Sequence, residues 1–229
     1  MMLKTRTLSV VLVLLVVVAT VASGQELLTA TAFFDQVSDR YGGIEDYSAQ
    51  ITITSEESVS TGDLLYRKPN FIRIDFERPE DQILVSDGSR LQVYIPRYNV
   101  VLSQQLRAHN DETLAAIAGE RGLALLRRNY SIAYLDSPGM VPLEDQSSEM
   151  VTKLLLNWRN TGEGYRQLTV SIGEDMLIRR IIGVTMDYRE VQFDFRNVEI
   201  NPGIPASRFE YRGPASANTF YDFLFEGEG

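Results

Sequence analysis

The chain has 229 residues, of which 44% are hydrophobic and 23% charged, with no cysteine, one histidine and a formal net charge of −9. Such acidity repels phosphate backbones and anionic headgroups, so it excludes nucleic acid as a partner and leaves apolar surface as the route to any lipid contact. The missing cysteines exclude disulfides, thiol catalysis and thiolate metal sites, and the length suits one domain large enough to be held by its core alone.

Lys4 and Arg6 precede an uncharged apolar run from Leu8 to Val21, followed by the small residues Ala22, Ser23 and Gly24. This is the layout of a secretory signal peptide. The run has about 14 residues, short of the roughly 20 that a spanning helix needs. Cleavage after Gly24 is expected, leaving residues 25–229 as a single domain in the periplasm. Loss of Lys4 and Arg6, with no acid among residues 1–24, takes the formal net charge from −9 to −11.

From Glu26 to Tyr41 apolar residues recur at three-and-four spacing and Gly42-Gly43 follows, which predicts an amphipathic helix packed on a sheet. At Tyr47 the period becomes two, and short alternating runs follow at 64–67, 71–77, 82–85, 91–95 and 100–104. Turn residues such as Lys68-Pro69-Asn70 and Asp87-Gly88 separate them. Strands so close together leave no room for crossover helices and predict an antiparallel meander.

Between Arg107 and Arg128 the alternation stops. Asn110 is placed to cap a helix carrying Leu114 and Ile117, and Gly119 and Gly122 are expected to break it before Leu123 and Leu126. The two glycines suit either a movable cover or a plain helix break. A second run of strands is predicted at 130–135, 151–158, 165–172, 177–184 and 189–195. The fold class is therefore mainly β: a strongly curved antiparallel sheet forming an unclosed half-barrel, with the N-terminal helix and the mid-chain helical lid on its concave side.

Little in the chain supports catalysis or metal binding. His109 stands alone among polar residues, no Gly-x-Ser-x-Gly turn or phosphate-binding loop occurs, and the acidic pairs Glu56-Glu57 and Asp145 with Glu149 lie in polar loops. No catalytic residue, metal or cofactor is assigned. In the strand 71–77, Arg73, Asp75 and Glu77 alternate with Ile72, Ile74 and Phe76, so the apolar face points inward. That alternation suits a filled core and a hydrophobic cavity equally. A large apolar void beneath the 107–128 insert would support a carrier, and a filled core there would sink that reading.

The segment Gly62-Asp63-Leu64-Leu65-Tyr66-Arg67-Lys68-Pro69-Asn70-Phe71-Ile72-Arg73-Ile74-Asp75 leads to Pro79-Glu80, then Ile83-Leu84-Val85-Ser86-Asp87-Gly88, then Val93-Tyr94-Ile95-Pro96. In order and spacing it resembles the LolA family of outer-membrane lipoprotein carriers, with its Gly-x-Leu strand, basic-Pro-Asn turn, Ser-Asp-Gly hairpin and aromatic-x-Tyr-x-Pro segment. The ending Asn201-Pro202 to Ile204-Pro205, with Phe209 to Pro214, is similar to the family's closing strand.

The resemblance implies a monomeric periplasmic carrier that is not an enzyme. It would shelter lipoprotein acyl chains, receive them from an inner-membrane ABC lipoprotein-releasing transporter and pass them to an outer-membrane acceptor or receptor. Leu64, Tyr66, Ile72, Ile74, Phe76, Leu114, Ile117, Leu123 and Leu126 are the expected lipid-binding residues. In the family an arginine before the proline bonds the lid; here that position is Lys68, preceded by Arg67, and lysine lacks the planar fork of donors. The alternative implied by the same half-barrel is a periplasmic regulatory sensor of lipoproteins or lipids. Such proteins usually carry a further C-terminal domain.

Overall fold

The structure is a computed structural model that describes residues 28–106, 119–159 and 164–221. The expected signal peptide, His109, Asn110, Leu114 and Ile117 lie outside the described residues. Helix α1 (Ala30–Gly42) starts where Thr29 accepts a hydrogen bond from the Ala32 N–H at 3.2 Å, which fills one of the orphan donors of the first turn. Its buried stripe is Ala30, Phe34 and Val37.

The first meander comprises β1 (Asp46–Ser55), β2 (Val59–Arg67), β3 (Phe71–Arg78), β4 (Ile83–Asp87), β5 (Arg90–Ile95) and β6 (Val100–Gln105). Helix α2 (Glu120–Asn129) opens the second half, followed by β7 (Tyr130–Tyr134), β8 (Val141–Pro142), β9 (Met150–Trp158), β10 (Tyr165–Gly173), β11 (Ile178–Thr185), β12 (Glu190–Ile200) and β13 (Asn218–Tyr221). All thirteen belong to one sheet in the order β13-β6-β5-β4-β3-β2-β1-β12-β11-β10-β9-β7, with β8 also on β9. Only the β13–β6 pair is parallel. The sheet is open, with β13 and β7 at its two edges. The two meanders meet at a seam where β1 pairs with β12, Tyr47 opposite Ile200 and Ile51 opposite Phe195.

Strong curvature needs close backbone approach at a few places. At Gly62, beside a register shift between β2 and β3, a side chain would place its Cβ 2.4 Å from the Asp75 carbonyl oxygen and 2.8 Å from Phe76 Cα. Only glycine fits there.

Two expectations are corrected. Gly122 does not break the insert: it is buried within α2, and Gly119 is the residue that precedes the helix. Residues 201–214 do not form a closing strand. Asn201 turns at φ 55°, a short 3-10 turn occupies Ala206–Phe209, and Pro202, Pro205 and Pro214 withhold donors from any ladder. The segment instead crosses the convex face, where Ile204 and Phe209 bury with Val85 against Leu65, Phe71, Ile83 and Tyr211. Asp46 holds it by accepting the N–H groups of Gly203 at 3.0 Å and Ile204 at 3.2 Å.

Candidate lipid-binding face

The concave face is built by register. Leu64 stands opposite Ile74 and Tyr66 opposite Ile72 across β2 and β3, and Ile74 stands opposite Leu84 on β4. Across the seam, Ile181 faces Phe193 and Phe193 faces Ile53. Two apolar clusters result. One joins Leu64, Tyr66, Ile72, Ile74, Tyr47 and Ala49 with Ile44 and Leu177. The other joins Phe34 and Val37 of α1 and Leu123 and Leu126 of α2 to Leu154, Leu156, Leu168, Val170 and Ile172. Tyr41 and Phe195 border both clusters.

The helices pack over the second cluster and reach the first through Tyr41 and, just before α2, Gly119. Between the clusters lies a cleft of about 20 Å³, lined by Tyr41, Ile44, Tyr47, Leu177, Ile178, Ile181, Phe195 and Val198. That is room for about one water molecule. Burial raises the Tyr41 phenol to about 12, although its oxygen accepts the Ile178 N–H at 3.1 Å, and burial also pushes the Tyr47 and Tyr66 phenols up. All three rings are therefore uncharged near neutral pH and act as apolar wall. A larger hollow of about 500 Å³ opens on the convex side against Asp75, Asp81, Tyr94, Tyr211 and Arg212. Its charged rim is poorly matched to acyl chains.

A few polar contacts fasten the helices to the sheet. Lys68 Nζ donates to the Gly42 carbonyl at the end of α1 and lies 3.9 Å from Glu45 and 3.8 Å from Glu120 in the first turn of α2. Arg121 donates to Asn70 at 3.2 Å, and Arg127 of α2 pairs with Asp35 of α1 at 2.9 Å. Gly119 rests against the Tyr66 ring, where an added Cβ would fall 2.1 Å from the hydroxyl oxygen.

The profile of the family described as outer membrane lipoprotein carrier protein LolA matches residues 49–212. The chain belongs to the LolA family. It is 27% identical over 174 residues to the outer-membrane lipoprotein carrier protein of Leptothrix cholodnii, covering 73% of this chain and 74% of that one. The corresponding protein of Pseudomonas syringae pv. tomato is 22% identical over 198 residues, covering 85% and 82%. Among solved structures, an uncharacterized conserved protein from Thermus thermophilus superposes with a TM-score of 0.54 at 12% identity, over 82% of this chain and 98% of that one. A chain of the Pseudomonas aeruginosa MucA/MucB complex gives 0.51 at 12% identity, over 82% and 62%. These structural likenesses speak for the fold alone.

In this LolA-family chain the residues singled out from sequence fall as follows. Leu64, Tyr66, Ile72 and Ile74 are buried together on the concave face, and Phe76 packs against them half-buried. Leu123 and Leu126 lie in the neighbouring cluster beneath the helices. The two cations before Pro69 diverge. Lys68 reaches both helices, whereas Arg67 points to the convex face and donates to the Ile204 carbonyl at 2.6 Å. Arg67 thus clamps the C-terminal segment: as the last residue of β2 it faces away from Tyr66 and the concave side, whereas Lys68 already belongs to the turn.

Sequence reasoning left out the half of the face made by β9 to β12, although Leu154, Leu156, Leu168, Val170 and Ile172 carry the same period-two signal. Among the described residues no group of three or more His, Cys, Asp or Glu is placed to hold a metal, and no helix is long and apolar enough to cross a membrane.

Proposed function

We propose that the chain, after loss of residues 1–24, is a periplasmic carrier that shelters the acyl chains of lipoproteins or related lipids against its concave face and moves them from inner to outer membrane. An inner-membrane ABC lipoprotein-releasing transporter would supply the cargo and an outer-membrane acceptor or receptor would take it. The observation that supports this reading is the continuous apolar face of an open sheet, partly covered by two helices whose polar ties to it, the buried Tyr41 hydroxyl on Ile178 apart, are few and lie near the surface.

The large apolar void expected of a carrier is not found in the described part of this face, whose apolar cleft holds about 20 Å³, and residues 107–118 of the insert lie outside the described residues. A carrier with so packed a face needs a displaceable cover and not a rigid preformed pocket. One acyl chain of about 14 carbons costs on the order of 10 kcal/mol to hold in water, at ~0.8 kcal/mol per methylene. A standing void of roughly 400 Å³ for it would destabilise the unloaded protein by about 10 kcal/mol, at ~24 cal/mol per Å³. A cover that lifts for cargo and settles back avoids that cost, because helix side chains and methylenes exchange places on the same sheet. Release is then helped by closure.

The reading is tested by titrating delipidated mature protein with a fluorescent acyl probe and competing with a diacyl lipopeptide. Saturable binding that the lipopeptide displaces supports it, and its absence refutes it. Capture from envelope extract distinguishes the sensor alternative: a membrane-anchored regulator as main partner would favour the sensor, an ABC transporter the carrier.

A further inference from the structure

One row of side chains crosses the whole first meander on the concave face. Leu64 stands opposite Ile74, Ile74 opposite Leu84, Leu84 opposite Val93, Val93 opposite Leu102, and Leu102 opposite Phe220 on β13. Residues directly paired across a sheet share a face. The row is therefore a single apolar track from the core to the open edge. Its exposure climbs along the way: 1%, 4% and 8% for Leu64, Ile74 and Leu84, half-buried for Val93 and Leu102, then 56% at Phe220.

The two sheet edges are finished differently. At β7, α1 closes the end: Phe33 packs on Tyr134 with ring centroids 6.2 Å apart, and the Tyr134 hydroxyl donates to the Leu28 carbonyl at 2.8 Å. β13 has four residues, all exposed, and among the described residues pairs with β6 alone. Of the four exposed aromatic side chains among the described residues, three lie here: Phe220, Tyr221 and Tyr98. Tyr98 belongs to the turn whose Asn99 accepts the Asn218 N–H at 3.0 Å and donates to Ser216 at 2.7 Å. A single exposed aromatic residue is ordinary on a soluble surface. An exposed ring that ends a continuous apolar track is not; Phe220 is that ring, Tyr221 facing the other way along β13, and aromatic rings suit the boundary between water and lipid.

We infer that the β13 edge is the threshold over which an acyl chain passes between the concave face and a bilayer, with Phe220 as its sill. This rests on the carrier reading and specifies the path that reading requires. Along this track methylenes stay in apolar contact from Leu64 to the β13 edge. A formal net charge of −11 without residues 1–24, which carry Lys4 and Arg6 and no acid against −9 for the whole chain, gives the surface no electrostatic hold on anionic lipid, so a brief apolar contact at this edge is the physical alternative.

The test loads the full mature chain with a fluorescent diacyl lipopeptide and follows its transfer to phosphatidylcholine vesicles. Phe220→Asp is expected to slow transfer by about tenfold, since a carboxylate must be passed at the apolar threshold, while equilibrium affinity stays near that of the parent. Phe220→Leu should restore the rate. Ser131→Asp on the opposite edge should leave it unaltered. Because Phe220 is exposed, Phe220→Asp should keep its circular dichroism. As a second measurement, Phe220→Trp in a Trp158→Phe background should be quenched by a brominated acyl chain during transfer.

An unchanged rate in Phe220→Asp, equal slowing by Ser131→Asp, absent quenching, or a rate and affinity that fall together would each overturn the threshold. A parent protein that binds lipopeptide and exchanges it as Phe220→Asp does sinks the threshold alone. A parent that takes up no lipopeptide sinks the carrier reading and the threshold with it.

Discussion

Replacing Lys68 with methionine keeps the length and apolar stem of the side chain and removes its charge. Three contacts go with that charge. The pairs with Glu45 and Glu120, at 3.9 and 3.8 Å, involve partners that are 77% and 56% exposed, so each is worth ~0–1 kcal/mol. The hydrogen bond to the Gly42 carbonyl is given by a charged donor to the end of α1 and contributes ~1.5–3 kcal/mol. Lys68→Met should therefore destabilise the closed form by about 2 kcal/mol, read as a fall in urea midpoint at unchanged slope. If the closed form competes with cargo, the same ~2 kcal/mol should tighten apparent acyl-probe affinity by up to about 30-fold. Glu120→Gln removes one exposed pair and should shift affinity only a few-fold. Loss of stability in Lys68→Met with unchanged or weaker probe binding would refute the reasoning, because Lys68 would then brace the body and not the cover.

Gly119→Ala drives a methyl to 2.1 Å from the Tyr66 hydroxyl oxygen. It should cost ~1–3 kcal/mol as overpacking, and because Tyr66→Ala alone opens a cavity in the core, the double variant should be destabilised by less than the two single variants summed; thermal melts of the single and double variants check this. Alkaline titration should show stability level up to about pH 10 and then falling towards pH 12, since Tyr41 stays protonated in the fold up to about 12 while an unfolded tyrosine ionises near 10.0. Tyr47 and Tyr66, also raised by burial, act in the same sense. Denaturant midpoints across that range provide the measurement, and Tyr41→Phe should flatten the slope.

Most of the sheet is legible in the sequence because its information is local. Alternation in Phe71 to Glu77 sets the phase of β3, and the hairpin at Asp87-Gly88 forces β4 and β5 to be antiparallel neighbours. The face assigned to Leu64, Tyr66, Ile72 and Ile74 follows from that phase alone. Pairings between distant segments leave no such trace. Nothing near Tyr47 announces Ile200, and nothing near Phe220 announces Leu102, so the seam and the β13 edge emerge only in three dimensions. Prolines in 201–214 signal a segment outside the ladder, but the convex face it covers depends on Asp46 and Arg67, far away in the chain. The direction of Lys68 is half legible: its place before Pro69 is evident, while its partners Gly42 and Glu120 come from two other elements.

The seam between β1 and β12 also orders events in time. Each meander closes short loops and can form early, whereas Tyr47 and Ile200 must meet across nearly the entire described chain, the slowest kind of contact to make. Ile51, Phe195 and Tyr47 supply the middle of the apolar floor only once that meeting has occurred. A chain whose two meanders have not yet met therefore holds two half-floors, and gains the continuous apolar face in a single late step.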